Sequence, residues 1–342
     1  MTDHIIKPTI ERKSLLAQLQ ARLPLLLTPL LALAALALIG QPSTWITLTV
    51  AGLAMGVMLF IMASGLTLVF GLMDVLNFGH GAFISLGAYV GVSVMLALGG
   101  FMASDSLWIN LLAIAPAIMA AVLVSGLAGW GFERLLVRPV YGAHLKQILI
   151  TMGGLIVTEQ LILALWGPEM IAIPRPVSLQ GIFLIGDVTI ERYRVYATVL
   201  GLIIFLAMLW AMKKTKLGLL IRAGVENSEM VEAMGYRVGI LFVGVFVVGS
   251  ALAGLGGVMW ALYDEVITAS IGQSLMILVF IVVIIGGLGS VEGAFIGALL
   301  VGLMSNYTSY LYPTLSLGST ILVMVAVLMW RPMGLFPVVK VK

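Results

Sequence analysis

Trp45–Phe70 reads WITLTVAGLAMGVMLFIMASGLTLVF, 26 residues without one charged side chain. About 20 mainly apolar residues in helical form cross the ~30 Å hydrocarbon core of a bilayer, so this stretch is read as a membrane-spanning helix. Working outward with the same measure gives candidate spans near 24–40, 45–70, 75–98, 108–130 and 147–166. Five more follow near 195–212, 240–262, 272–290, 293–312 and 317–331. Composition agrees: 61% of the 342 residues are hydrophobic and 10% are charged, against roughly 25% charged in a soluble domain. The expected fold is all-α, a polytopic membrane bundle of about ten transmembrane segments with broken or re-entrant helices.

Several function classes drop out on residue types alone. The chain has no cysteine, which removes disulfides, thiolate metal sites and thiol nucleophiles together. Its three histidines, His4, His80 and His144, are too scattered for a His-rich metal site. A phosphate loop needs Gly-x-x-x-x-Gly-Lys followed by Ser or Thr, and no such run occurs. Any ATP hydrolysis must therefore reside on another chain. The formal net charge of +3 gives no reason to expect nucleic acid.

The 18 basic residues orient the bundle. Lys7, Arg12, Lys13 and Arg22 precede the first span, and Arg134, Arg138 and Lys146 follow the fourth. Lys213, Lys214, Lys216, Arg222 and Arg237 follow the sixth, and Arg331, Lys340 and Lys342 close the chain. Ten spans put all of these on one face, leaving Arg175, Arg192 and Arg194 opposite. Cytoplasmic loops carry the excess of Lys and Arg, so both termini are expected in the cytoplasm. The organisation is then a cytoplasmic arm at 1–23, a membrane domain at 24–331 and a cytoplasmic tail at 332–342. Loop 213–238 is cytoplasmic and loop 167–194 is external. Leu25–Ile39 lacks a polar, small-residue cleavage region and is expected to remain as an anchor. Neither 23–133 nor 238–330 contains Lys or Arg, so re-entrant segments can hide there. The external loop carries Pro168, Pro174, Pro176, Gly181 and Gly186, which predicts a short hairpin or surface helix.

A sequence echo points to duplication. Gly81-Ala-Phe-Ile84 recurs as Gly293-Ala-Phe-Ile296, each in a glycine-rich setting. Transporters arise from such repeats, with interrupted helices from each half meeting near the midplane, although short apolar sequence also matches by chance. The ten-span count makes the two copies parallel.

Three constellations carry polar chemistry. In Gly71-Leu-Met-Asp-Val-Leu-Asn-Phe-Gly-His-Gly81, Asp74, Asn77 and His80 follow one another at intervals of three. On a helix they share a face, where they either line a pathway or form a polar knot at a helix break. Gly287, Gly289 and Glu292 make a second glycine-rich break carrying one acid. In the loop KKTKLGLLIRAGVENSEMVEAMGYR (213–237), Asn227 is placed to cap a short helix, with Glu229 and Glu232 near its positive end. Met230, Val231, Ala233 and Met234 form its apolar side, and Gly235 stops it. Acids on its polar face disfavour an anionic leaflet and favour a protein groove. Glu159 interrupts the fifth span as an intramembrane carboxylate, a pathway candidate by its expense. Asp264 and Glu265 end the seventh span, where solvation is the simpler account.

Taken in order, these stretches resemble the branched-chain amino acid ABC-transporter permeases of the LivH type over residues 45–342. The likeness rests on Gly65-Leu-Thr-Leu-Val-Phe-Gly with Asn77-Phe-Gly-His-Gly, on Glu133-Arg-Leu-Leu-Val-Arg-Pro-Val and on Leu217-Gly-Leu-Leu-Ile-Arg-Ala. It continues through Glu226-Asn with Ala233-Met-Gly, Gly286-Gly-Leu-Gly-Ser-Val-Glu-Gly-Ala with Ile296-Gly-Ala, and Arg331-Pro-Met-Gly-Leu-Phe. The resemblance implies an inner-membrane importer subunit for branched-chain amino acids that binds no cofactor itself. Implied partners are a second homologous permease, two cytoplasmic ATPases carrying ATP and Mg, a periplasmic solute-binding protein and the membrane lipid. By the same likeness Arg222, Glu226, Asn227, Met230, Ala233, Met234 and Gly235 form the ATPase-coupling element. Asp74, Asn77, His80, Gly287, Gly289 and Glu292 then flank the pathway, and Glu159 stays a pathway candidate on its intramembrane position alone. Related systems move urea, amides or aromatic acids. A proton-coupled secondary transporter relaying through Asp74 and Glu159 is the rival class.

Overall fold

The computed structural model describes residues 15–73, 75–226 and 228–336. The expected arm (1–14), the end of the tail (337–342), Asp74 and Asn227 lie outside the described residues. Helices α1 (Leu15–Ile39), α2 (Pro42–Met73), α3 (His80–Ala97), α4 (Gly99–Met102) and α5 (Leu107–Phe132) open the chain. Glu133–Val137 then widens into one π turn before α6 (His144–Trp166). The loop after α6 holds strands β1 (Ile171–Ala172), β2 (Ile182–Ile185) and β3 (Val188–Glu191). Next come α7 (Arg192–Lys214), α8 (Lys216–Glu226), α9 (Ser228–Ala233) and α10 (Val238–Asp264). Strand β4 (Val266–Ile267), α11 (Ile271–Gly286), α12 (Val291–Leu311) and α13 (Ser316–Trp330) complete the order.

Among the described residues eight helices are long and apolar enough to cross a membrane, and 23–39 and α11 are shorter apolar helices. Every span expected from the sequence thus coincides with a helix. Helices dominate because lipid offers no partner for a free backbone N–H or C=O. Two boundaries differ from expectation. The third span starts at His80, since 75–79 is not helical, and α11 ends at Gly286 because Gly287 and Gly289 take left-handed φ of 95° and 80°. The 213–238 loop holds two helices, where sequence gave only the second.

Helix α2 is the axis of the bundle, packed by α7, α10, α11 and α12. Small residues let these backbones approach closely. A Cβ on Gly56 would lie 2.7 Å from Ala298 O on α12, and one on Gly65 would collide with Gly249 O on α10. Around these crossings Phe60, Phe205 and Phe295 interlock, with Phe60 edge-on at 5.4 Å and 5.2 Å to the other two. Helix α1 sits at the margin, joined to α12 through Ala35, Leu303 and Tyr307.

The two ends of the bundle are built differently. At the basic end, α7 stops at Lys213–Lys214, and α8 and α9 lead to Arg237. At the far end β2 and β3 form the expected hairpin, while β1 pairs with β4 antiparallel, Ile171 opposite Ile267. Arg175 ties that end together. Its Nε donates to Leu262 O at 2.7 Å and meets Glu265 Oε1 at 2.9 Å, and Nη1 pairs with Glu191 Oε2 at 3.0 Å. Glu265 is therefore engaged within the chain, held at φ 60°, while Asp264 is exposed.

Candidate functional site

The chain between α2 and α3 turns back into the bundle. Phe78 N donates to Thr151 Oγ1 on α6 at 3.1 Å, and the Phe78 ring packs at 4.5 Å against Phe280 of α11. His80 then opens α3 fully buried, with Nε2 2.9 Å from Met62 O in the body of α2. A carbonyl only accepts, so Nε2 carries the proton in this pairing. Met62 lies eleven residues, about 16 Å of helix, before Met73, so α3 starts well inside the bundle.

The start of α11 meets it there. A Cβ on Gly81 would stand 2.7 Å from Gly272 O. Ser85 Oγ accepts from Gly272 N at 2.9 Å and donates to Ala269 O at 3.2 Å. Two helix N-termini thus converge beside α2, their first-turn N–H groups lacking intrahelical partners. The expected partner of the Gly81–Ile84 echo was the Gly293–Ile296 segment, and the geometry differs: α3 abuts the start of α11, where glycine on both sides permits contact.

Asn77 lies in this region with no exposure, and both its side-chain polar atoms lack hydrogen-bond partners among the described residues. The one-face helical arrangement of Asn77 with His80 does not form, because 75–79 is non-helical. A buried amide without partners forfeits roughly 1–3 kcal/mol, which sets Asn77 apart from the paired polar groups around it.

Gly287, Gly289 and Glu292 gather instead at the basic end. Gly289 packs against Gly71 at the end of α2, and Ser290 caps α12 by accepting from Gly293 N at 3.0 Å. Leu335 N and Phe336 N donate to Ile285 O and Gly286 O, which clamps the break with the following chain. Glu292 pairs with Lys213, both about half exposed. Helix α11 separates this cluster from Asn77 and His80.

Glu159 is partly buried, four residues beyond buried Leu155 and three before buried Ile162, so it lies on the inward stripe of α6. It has no ion-pair or hydrogen-bond partner among the described residues. It sits about 12 Å along α6 from Thr151.

Residues that the sequence reading passed over complete the region. Glu133 is 1% exposed in the π turn, accepts from Tyr141 OH at 2.5 Å, and leaves Oε2 without a partner among the described residues. Burial first, then that bond and the carboxylate charge, push the Tyr141 phenol well above its ordinary range, so it remains a donor. Gln147, also buried, has an Oε1 without a partner among the described residues and lies one turn before Thr151. The Phe132 ring crowds Gly79, which brings the π turn against the 75–79 segment. A carboxylate closing a long apolar helix, eight residues before a tyrosine, was the available signal.

The loop element takes the expected form at 228–233. Gly235 has φ 87° and Gly235 N donates to Glu232 O at 2.9 Å, which ends α9. Val231 is buried against the bundle, whereas Met230, Ala233 and Met234 face outward, the two methionines 61% and 70% exposed. Arg222 and Glu226 belong to α8 by backbone, and their side chains lie outside the described residues.

Comparison with known proteins places this architecture. The chain is 28% identical over 262 residues to the high-affinity branched-chain amino acid transport system permease protein LivH of Salmonella typhimurium, covering 75% of this chain and 84% of that one. It is 27% identical over 295 residues to BraD of Pseudomonas aeruginosa, a permease protein of the same description, covering 83% and 93%. A probable LivH permease of Methanocaldococcus jannaschii is 25% identical over 301 residues, covering 81% and 88%. No solved structure matches. Residues 48–329, α2 to nearly the end of α13, match the family described as branched-chain amino acid transport system, permease component, and the chain belongs to that family of multi-pass membrane proteins.

Proposed function

We propose that this chain is the membrane subunit of an ATP-driven importer of branched-chain amino acids in the inner membrane, with its basic end in the cytoplasm. In this reading it pairs with a second permease, takes solute from a periplasmic binding protein, and is driven by two ATPase subunits that hold ATP and Mg. It binds no cofactor itself. Besides family membership, the observation that carries the reading is α9: a short helix at the basic end that turns two methionines and an alanine outward.

Exposed methionines on a short helix suit a groove in a partner, since the flexible thioether adapts its packing. Motion of α9 passes to the bundle through Val231, which is 4% exposed. Asn77, His80 and the converging starts of α3 and α11 are proposed to flank the solute path. Gly287, Gly289 and Glu292 are proposed to close its cytoplasmic end. Glu159 and the outlying Asp74 are proposed as neighbours of the path.

The test is recovery of the tagged chain from native membranes with its partners, followed by ATPase assay of that complex. Met230→Asp with Met234→Asp is expected to cut solute-stimulated ATP turnover at least tenfold while the bundle still folds. Unchanged turnover defeats the docking role of α9. Solute uptake by the chain alone, with no ATPase recovered, favours the secondary-transport class.

A further inference from the structure

At the basic end a groove of about 630 Å³ runs between α7 and α10, floored by Leu68 of α2 and roofed by α8 and Val231 of α9. Its walls are apolar, with Met208, Met212, Ile221, Leu241, Val245 and Leu252 prominent. Arg237 is the charged residue that lines it, next to Tyr236 at the mouth. From this geometry we infer that the groove holds one acyl chain of an anionic phospholipid, its headgroup against Arg237.

Three observations favour that occupant. The first is length: from Arg237 to Leu252 the groove follows about 22 Å of α10, the depth of one leaflet, half of ~30 Å, plus its headgroup layer. The second is lining: apart from Tyr236 and Arg237 at the mouth, every residue facing the groove is apolar or glycine, which suits a hydrocarbon chain. The third is charge. Arg237 is exposed at the mouth, with Lys214 and Lys216 exposed on the neighbouring helix ends, and basic residues at a membrane surface attract anionic headgroups. The acids of α9, Glu229 and Glu232, are exposed and do not line the groove.

The seat is more than the ordinary lipid contact of a membrane helix, because α8 closes over it. Gly218 lies so near Met212 O that a Cβ has no room, which fixes α8 on the end of α7. Inside, a Cβ on Gly244 would meet nothing within 4 Å, so the space reaches the backbone of α10. The bound chain would then lie directly beneath α8 and α9, stiffening the element that faces outward.

The experiment is native mass spectrometry of the full chain purified from its own membranes in mild detergent. Wild type is expected to retain about one phospholipid per chain, with anionic species enriched several-fold over their membrane share. Gly244→Phe, which fills the groove without a backbone clash, is expected to lower retention at least fivefold. Gly239→Phe, where a Cβ also meets nothing within 4 Å but which does not line the groove, should retain the wild-type amount. Arg237→Gln should keep the lipid and lose the anionic preference. Undiminished retention in Gly244→Phe, no lipid on wild type, or no headgroup preference overturns the proposal. So does crosslinking of Val248→Cys, the sole thiol in that variant, to a polypeptide. None of these readings depends on ATPase or transport activity, so this site and the importer assignment stand or fall separately.

Discussion

Helices α2 and α6 are close relatives by hydropathy and opposites in place. Of the most apolar 18 residues, 89% are buried in α2 and 11% in α6. Along α6, Leu149, Ile156 and Leu165 stand exposed where lipid surrounds a membrane bundle. Lipid and a protein interior are equally apolar, so hydropathy does not separate the two helices. Glycine does. In α2, glycines 52, 56, 65 and 71 all meet a neighbouring backbone, while Gly153 of α6 faces open space.

The sharpest break of this contrast is a leucine at each kind of position. Gly65→Leu drives a side chain into Gly249 O, and overpacking against backbone exceeds the ~1–3 kcal/mol of ordinary core insertions. No monodisperse protein is expected by size-exclusion chromatography. Gly153→Leu should shift the melting temperature by little, within about 0.5 kcal/mol of stability. Equal outcomes for the two would dissolve the distinction between central and peripheral glycine.

A smaller effect tests a polar tether from peripheral α6 to the centre. Thr151→Val removes the acceptor for Phe78 N and leaves that N–H without its partner, worth about 1–3 kcal/mol. Hydrogen exchange at Phe78 should rise markedly while the far-end amide of Ile173, bonded to Glu265 O at 2.8 Å, stays protected. Simultaneous loosening of both ends would mean that the bundle unfolds as one block. The smallest effect belongs to Lys213→Ala. Its pair with Glu292 is 57% and 46% exposed, and exposed pairs contribute ~0–1 kcal/mol. The melting temperature should hold to within a few degrees.

The spans were legible because each apolar run is long, and α9 was legible because its acids, apolar side and terminating Gly235 all lie within ten residues. What escaped the sequence is non-local. Nothing near Phe78 says that Thr151, 73 residues on, supplies its acceptor. Nothing near Arg175 says that Leu262 and Tyr263, 87 and 88 residues away, will occupy its guanidinium. The two copies of the internal echo fall at two helix starts, beginning at His80 and Val291. It did not reveal which elements touch, since contact between α3 and α11 depends on Gly81 and Gly272 lacking side chains. Glu133 was quoted within a motif, but its burial comes from the π turn and Tyr141 together.

The pairing of α2 with α12 also sets a schedule. Thr49 and Tyr307 share a hydrogen bond across 258 residues of chain. A ribosome adding ~5–20 residues per second needs about ten to fifty seconds to bridge that interval. Throughout it Gly52 and Gly56 of α2, which seat α12, wait in the bilayer uncovered, and whatever shields that face of α2 during the wait decides how much of each synthesised batch reaches the finished form.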